Sequence, residues 1–192
     1  MTGRTHDLAA VSFLSLAFVL SPLEKISITT LFLCLLFNQI GGILPDIDQP
    51  TAPLWKNLPV TKSIGRIIDK VLFGGHRFLT HSIVGLVIFT LLAYFLLNIF
   101  HSSNINNNLI IVSFVIGYLS HLVFDSITKE GVPWLLPITK KFGIPPTKKF
   151  RIETGGIVEH LFIFPGLIVF DFILILENYS MILLFFKNYL IR

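Results

Sequence analysis

The chemistry available to this sequence rests on its histidines and aspartates. His6 is followed by Asp7, and Asp46 and Asp48 are one residue apart in Pro45-Asp46-Ile47-Asp48. His76 and His81 flank Arg77-Phe78-Leu79-Thr80, His121 and Asp125 stand four positions apart, and Glu159 adjoins His160. Imidazole with carboxylate is the donor set of hydrolytic metal sites; zinc is the commonest ion there, with manganese or iron as alternatives. On a helix, the i, i+4 spacing sends His121 and Asp125 out from one face. If the chain is extended at Asp46-Ile47-Asp48, both carboxylates point the same way. Several carboxylates among several imidazoles suggest more than one ion, and paired ions serve phosphoester hydrolases by clamping the attacking and leaving oxygens. The single cysteine, Cys34, lies in an apolar run, which excludes a thiolate site or a disulfide within the chain.

Each residue also has a plainer reading. A histidine at a helix end is more often a cap or interfacial group than a ligand, and His101 takes that reading. Asp46 and Asp48 suit a turn after a helix. His121 and Asp125 suit a hydrogen-bonded pair, and Asp171 a buried polar contact. The metal reading gains its weight from the joint placement of these residues, which depends on the elements that carry them.

Those elements belong in a membrane. Of the 192 residues 53% are hydrophobic and only 14% charged, against about 25% charged in soluble domains. The mean hydropathy is +0.78. Apolar runs at residues 8–20, 26–45, 82–100, 109–124 and 157–176 predict an all-α, multi-pass membrane helix bundle of about five spans. The first run resembles the core of a signal peptide, but His6 and Asp7 precede it and no small-x-small cleavage site follows, so a retained helix is expected. The run at 180–186 is too short to span; it suits an interfacial segment or a short sixth helix. No internal repeat or low-complexity linker is evident, and residues 1–192 read as one membrane-embedded domain.

Consecutive spans alternate in direction, so the starts of odd helices and the ends of even helices share one face. His6, Asp46, Asp48, His76, His81, His121, Asp125, Glu159 and His160 all fall on that face, and only His101 falls on the other. The loops at 46–81 and 126–155 hold most of the lysines and arginines, which predicts that they, and the N-terminus, are cytoplasmic. The net charge of +4 and pI of about 9.3 are explained by this bias or by anionic lipid headgroups, and no nucleic-acid partner is expected. In the first loop Ile64, Ile67, Ile68, Val71 and Leu72 have helical spacing with Lys62, Arg66 and Lys70 between them. That pattern suits either a helix lying on an anionic leaflet or one packed on the bundle. Trp55 and Trp134 are candidates for headgroup depth.

Three strings together look like the YdjM-type family of inner-membrane metal-dependent hydrolases: Pro45-Asp46-Ile47-Asp48, His76-Arg77-Phe78-Leu79-Thr80-His81-Ser82, and Ser120-His121-Leu122-Val123-Phe124-Asp125-Ser126-Ile127-Thr128. Gly131-Val132-Pro133-Trp134-Leu135-Leu136-Pro137 and Thr5-His6 fit as well, so the resemblance covers roughly residues 5–160. The family is similar in ligand pattern to zinc-dependent phospholipase C and P1-type nucleases, which are all-helical and bind up to three zinc ions. Carried over, the resemblance implies His6, Asp48, His76, His81, His121 and Asp125 as metal ligands for one to three ions. The late His-x-x-x-Glu pair of the soluble enzymes is absent, and Glu159-His160 is its nearest stand-in.

The mechanism expected on this reading is hydrolysis by a metal-activated water. Asp46 or Asp48 would bridge ions or accept the water's proton, and Arg77 would grip a phosphate oxygen through its planar fork. Thr128 and Lys129 would touch the same anion. A site at the membrane interface implies membrane lipids as surroundings and a lipid-like phosphoester as substrate. Two other classes fit less well. A transporter should carry its ionisable groups near the midplane rather than at one face. A non-catalytic regulator would hold a closed structural metal with four protein ligands.

Overall fold

The computed structural model describes residues 1–21, 26–48, 78–99 and 104–190. Its long helices are α1 (Gly3–Leu20), α2 (Ile28–Ile43), α3 (Ile83–Ile99), α4 (Asn107–Ser126), α5 (Phe164–Glu177) and α6 (Tyr179–Leu190). A 3-10 turn, Leu44–Asp48, extends α2, and a π-helical turn, Glu159–Ile163, leads into α5. Among the described residues there is no strand, only the isolated bridges Thr128–Ile152 and Val132–Phe142. Ile28–Ile47, Asn107–Ser126 and Glu159–Glu177 are long and apolar enough to cross a membrane, and Ile83–Ile99 is a shorter apolar helix. The all-helical membrane bundle is therefore as expected. The apolar tail forms the short helix α6, at 12 residues well below the roughly 20 that span a bilayer.

Local chemistry starts several helices where the hydrophobic runs begin. Ser27 Oγ accepts from Thr30 N at 3.1 Å ahead of α2, and Asn106 Oδ1 accepts from Leu109 N at 3.1 Å ahead of α4. Ser82 Oγ accepts from Gly85 N at 3.1 Å at the start of α3. Each side chain satisfies a first-turn amide that the helix cannot. One boundary differs from expectation. α1 begins at Gly3 rather than at residue 8, so His6 and Asp7 lie inside its opening turns. Hydrophobic periodicity cannot reveal this, because the first turn buries Thr5 and His6 instead of apolar groups.

The bundle is apolar outside and largely polar inside. Phe32, Leu91, Phe95, Phe162 and Phe172 are exposed, while His6, Asn38, Ser113, Ser120, His121, Asp125 and Glu159 are buried. This inversion is stable when lipid rather than water surrounds the helices. The principal helix pair is α2 with α4. It closes tightly because Gly41 faces the Phe114 carbonyl and Gly117 faces the Asn38 carbonyl, where a Cβ would collide with backbone. Asn38 Nδ2 donates to Ser113 O at 3.1 Å across the same seam.

A compact apolar cluster of Phe114, Tyr118, Leu122 and Val132 gathers around α4, packed by Phe37 and Leu44 from the α2 side and by Trp134, Leu86 and Phe89. Tyr118 donates to the Thr80 carbonyl, Ile83 N donates to Trp134 O at 3.1 Å, and Trp134 Nε1 donates to Ser126 Oγ at 2.8 Å. These bonds tie the start of α3 to the end of α4, which brings His81 beside His121. Trp134 is thus partly buried and braced against the end of α4. Trp55, the amphipathic pattern of 62–72 and His101 lie outside the described residues.

Candidate metal centre

His6, Asp46, His81, His121 and Asp125 converge from α1, the 3-10 turn, the residues before α3, and the last turns of α4. Two ligand groups share His121: His6, His121 and Asp125, and Asp46, His81 and His121, with donor atoms inside each group within 4.8 Å of one another. His81 Nε2 lies 3.6 Å from Asp46 Oδ1 and 3.5 Å from Asp125 Oδ2. His121 Nε2 lies 3.8 Å from each of the same two oxygens. These gaps exceed ordinary hydrogen bonds. They approach the separation of about 3.4 Å between two donors that share a zinc ion at about 2.1 Å in a tetrahedral shell.

The second nitrogen of His121 fixes what the first can do. His121 Nδ1 is 2.7 Å from the Gly42 carbonyl, so Nδ1–H donates there and the lone pair is left on Nε2. That Nε2 is buried and without a hydrogen-bond partner. A buried polar atom in this condition costs about 1–3 kcal/mol, and a bound cation would relieve the cost. His6 stacks on His121, ring centres 3.7 Å apart and planes 9° apart. His6 Nε2 reaches 3.2 Å from Asp125 Oδ1 without hydrogen-bond alignment, and its Nδ1 is also unpartnered. Asp125 Oδ1 additionally meets the Met1 ammonium. Burial disfavours charge on His81, but the carboxylates of Asp125 and Asp46 outweigh it and raise its proton affinity above the ordinary value. Two carboxylates among imidazole nitrogens are a donor set that suits a divalent metal ion.

Other expected site residues take different places. Glu159 is buried, but its carboxylate is fully engaged. Oε1 accepts from Thr2 N at 2.7 Å, Thr2 Oγ1 at 2.7 Å and Thr5 Oγ1 at 2.6 Å, and Oε2 accepts from Gly155 N at 2.8 Å. Glu159 thus caps the start of α1, holding the turn that carries His6, and is absent from both ligand groups. Local spacing hid this role, because its partners Thr2 and Thr5 lie more than 150 positions away; Gly155 is the one local partner. His160 is exposed, with Nδ1 3.0 Å from the Gly156 carbonyl. Thr128 Oγ1 donates to the Asp125 carbonyl at 2.8 Å and closes the end of α4, so its proton is not offered to an anion. Lys129 pairs with Glu153 at 2.6 Å. Asp171, half-buried, accepts from Ser12 Oγ at 2.8 Å. The backbone of Asp48 closes the 3-10 turn. His76 and Arg77 lie outside the described residues.

The fold and the cluster define a helical membrane protein with a buried histidine–aspartate centre suited to a metal ion. The chain belongs to the YdjM inner membrane protein family, which it matches over residues 1–190. It is 38% identical over 115 residues to "Inner membrane protein YdjM" of Escherichia coli (strain K12), covering 58% of this chain and 54% of that protein. The same figures hold for the protein of that name in Shigella flexneri. The matched region thus spans about half the length of these relatives. "Uncharacterized protein YvsG" of Bacillus subtilis (strain 168) is 25% identical over 161 residues, covering 84% of this chain and 86% of that protein. No solved structure matches the chain.

Proposed function

We propose that this protein is a membrane-embedded, metal-dependent hydrolase that cleaves a phosphoester of a lipid or lipid-like substrate at the cytoplasmic face of the inner membrane. The observation that carries the reading is the gathering of five imidazole and carboxylate side chains into two ligand groups that share His121, whose buried Nε2 has no hydrogen-bond partner. His81, His121, Asp46 and Asp125 would hold the ion, with His6 serving a second position beside Asp125. Zinc suits the donor set best. Such an ion supplies Lewis acidity, polarising an ester oxygen and acidifying a water. The Asp46 side chain is 17% exposed, whereas His81 and Asp125 are fully buried. Substrate and water are therefore assigned to the Asp46 side, where its second carboxylate oxygen accepts the water's proton. The function of Arg77 in this scheme is to bind a phosphate oxygen.

A second reading has its own support. His81, His121, Asp46 and Asp125 are enough to close a four-coordinate structural site, which suits a non-catalytic regulator. One experiment separates the two. Elemental analysis of detergent-purified protein should show at least one zinc per chain. The same protein in mixed lipid vesicles should release phosphorylated headgroup or phosphate in a manner abolished by chelator and restored by zinc. His121→Ala should lose metal and turnover together. Bound zinc with no turnover on any phosphoester favours the regulator, and substoichiometric metal with no uptake on zinc addition rejects both.

A further inference from the structure

The segment from 127 to 156, which joins α4 to the turn before α5, is a built platform rather than a slack connection. Val132 and Phe142 exchange backbone hydrogen bonds of 2.8 Å in both directions. Ile144 N donates to Ser126 O at 2.8 Å, and Lys129 N donates to Ile152 O at 2.9 Å. Arg151 is consumed internally: Nε donates to Pro145 O at 2.7 Å and Nη2 to Pro146 O at 2.9 Å. Gly143 packs against that guanidinium and has no room for a Cβ. Lys129 is neutralised by Glu153, whose own carboxyl the ammonium holds below its usual range.

What remains on the outside is a mixed surface. Ile138, Ile144 and Phe150 are 56%, 68% and 73% exposed. Lys140, Lys141, Lys148 and Lys149 stand exposed beside them and pair with no acid among the described residues. Lys140 Nζ lies 6.0 Å from the centre of the Phe142 ring. Both ends of the segment feed helices of membrane-spanning length, so this surface stands at the boundary between headgroups and acyl chains. Apolar side chains interleaved with ammonium groups at that depth match an anionic leaflet: the former enter the acyl boundary and the latter meet phosphates.

We propose that Lys140, Lys141, Lys148 and Lys149, with Ile138, Ile144 and Phe150, form a docking surface for the headgroups of anionic phospholipids. This goes beyond the hydrolase reading and does not depend on it, because none of these residues belongs to the metal centre. Each lysine near an anionic surface strengthens association by about fivefold, with attraction screened by salt.

The test is titration of the full-length protein in detergent with phosphatidylglycerol or phosphatidylcholine, counting retained lipids by native mass spectrometry. The wild type should retain phosphatidylglycerol preferentially, and less so at high salt. The variant carrying Lys140→Gln, Lys141→Gln, Lys148→Gln and Lys149→Gln should lose at least about tenfold of that preference. The corresponding four-arginine variant should keep it, which separates loss of charge from loss of folding. Zinc content should be the same in all three proteins. No preference in the wild type, or an undiminished preference in the glutamine variant, overturns the proposal; in the latter case the lysines serve only to orient the chain.

Discussion

His121 and Glu159 show how a polar side chain is assigned a task by its neighbours. The Gly42 carbonyl takes the Nδ1 proton of His121 and thereby aims its Nε2 lone pair into the cluster. Glu159, by contrast, spends both oxygens on the amino-terminal turn of α1 and has none left for an ion. It acts on the centre through His6, one turn further along. Outer partners of this kind typically change metal affinity 10–100-fold. Glu159→Gln replaces one acceptor oxygen by a donor facing Thr2 and Thr5 or Gly155. It should therefore weaken zinc binding by about tenfold while leaving the five ligand-type side chains intact. Competition against a chromophoric chelator measures this. An unchanged zinc affinity in a folded Glu159→Gln protein would detach the clasp from the metal centre. Ser12→Ala, which disturbs the Asp171 contact away from the cluster, serves as the control and should bind zinc normally.

At the scale of elements, the seam between α2 and α4 sets the position of three of the five residues. Asp46 continues from α2 through the 3-10 turn, and His121 and Asp125 belong to α4. The two backbones approach at Gly41 and Gly117 closely enough that a single methyl group would meet a carbonyl. Two effects oppose each other in Gly117→Ala. Alanine favours the helix by about 1 kcal/mol, whereas overpacking a close contact costs about 1–3 kcal/mol. Here the obstructing atom is the Asn38 backbone, which cannot rotate aside, so the clash wins. Gly117→Ala should unfold at lower temperature in detergent and lose metal, since His121 sits one turn beyond it. Gly166→Ala, where nothing lies within 4 Å of the added carbon, should be neutral or slightly stabilising. Equal thermal behaviour of the two variants would contradict the packing argument.

At the scale of the molecule, the polar interior and apolar exterior make sense only with lipid around the helices. Within that arrangement the ligand-type residues gather at one end of the bundle, and Asn104–Asn108 begin α4 at the other. The lysines and arginines in the loops that flank the histidine–aspartate end predict that this end is cytoplasmic. A membrane-impermeant thiol reagent applied to intact cells should label Asn106→Cys and spare Lys141→Cys. The buried Cys34 should stay silent in both proteins. The reverse labelling would place the histidine–aspartate end in the other compartment.

The amino-acid sequence by itself determined the membrane class, the helical architecture and the face on which the chemistry gathers. Apolar runs of near-spanning length force alternate directions, and alternation alone brings His6, Asp46, His81, His121 and Asp125 to one end. It also yielded the His121/Asp125 pair, because i, i+4 spacing on a helix is a local property. Only the tertiary structure decided which of those residues face one another and which serve as supports. The stacking of His6 on His121, the hydrogen bond from His121 Nδ1 to the Gly42 carbonyl, and the hydrogen bonds from Thr2 and Thr5 to Glu159 are pairings between distant elements. Local spacing cannot encode them, so Glu159-His160 resembles a stand-in ligand pair in the sequence, whereas the hydrogen bonds of Glu159 make it a support for α1. The true start of α1 was hidden for a related reason: its first turn is buried by polar contacts, and polar burial leaves no hydrophobic period to follow.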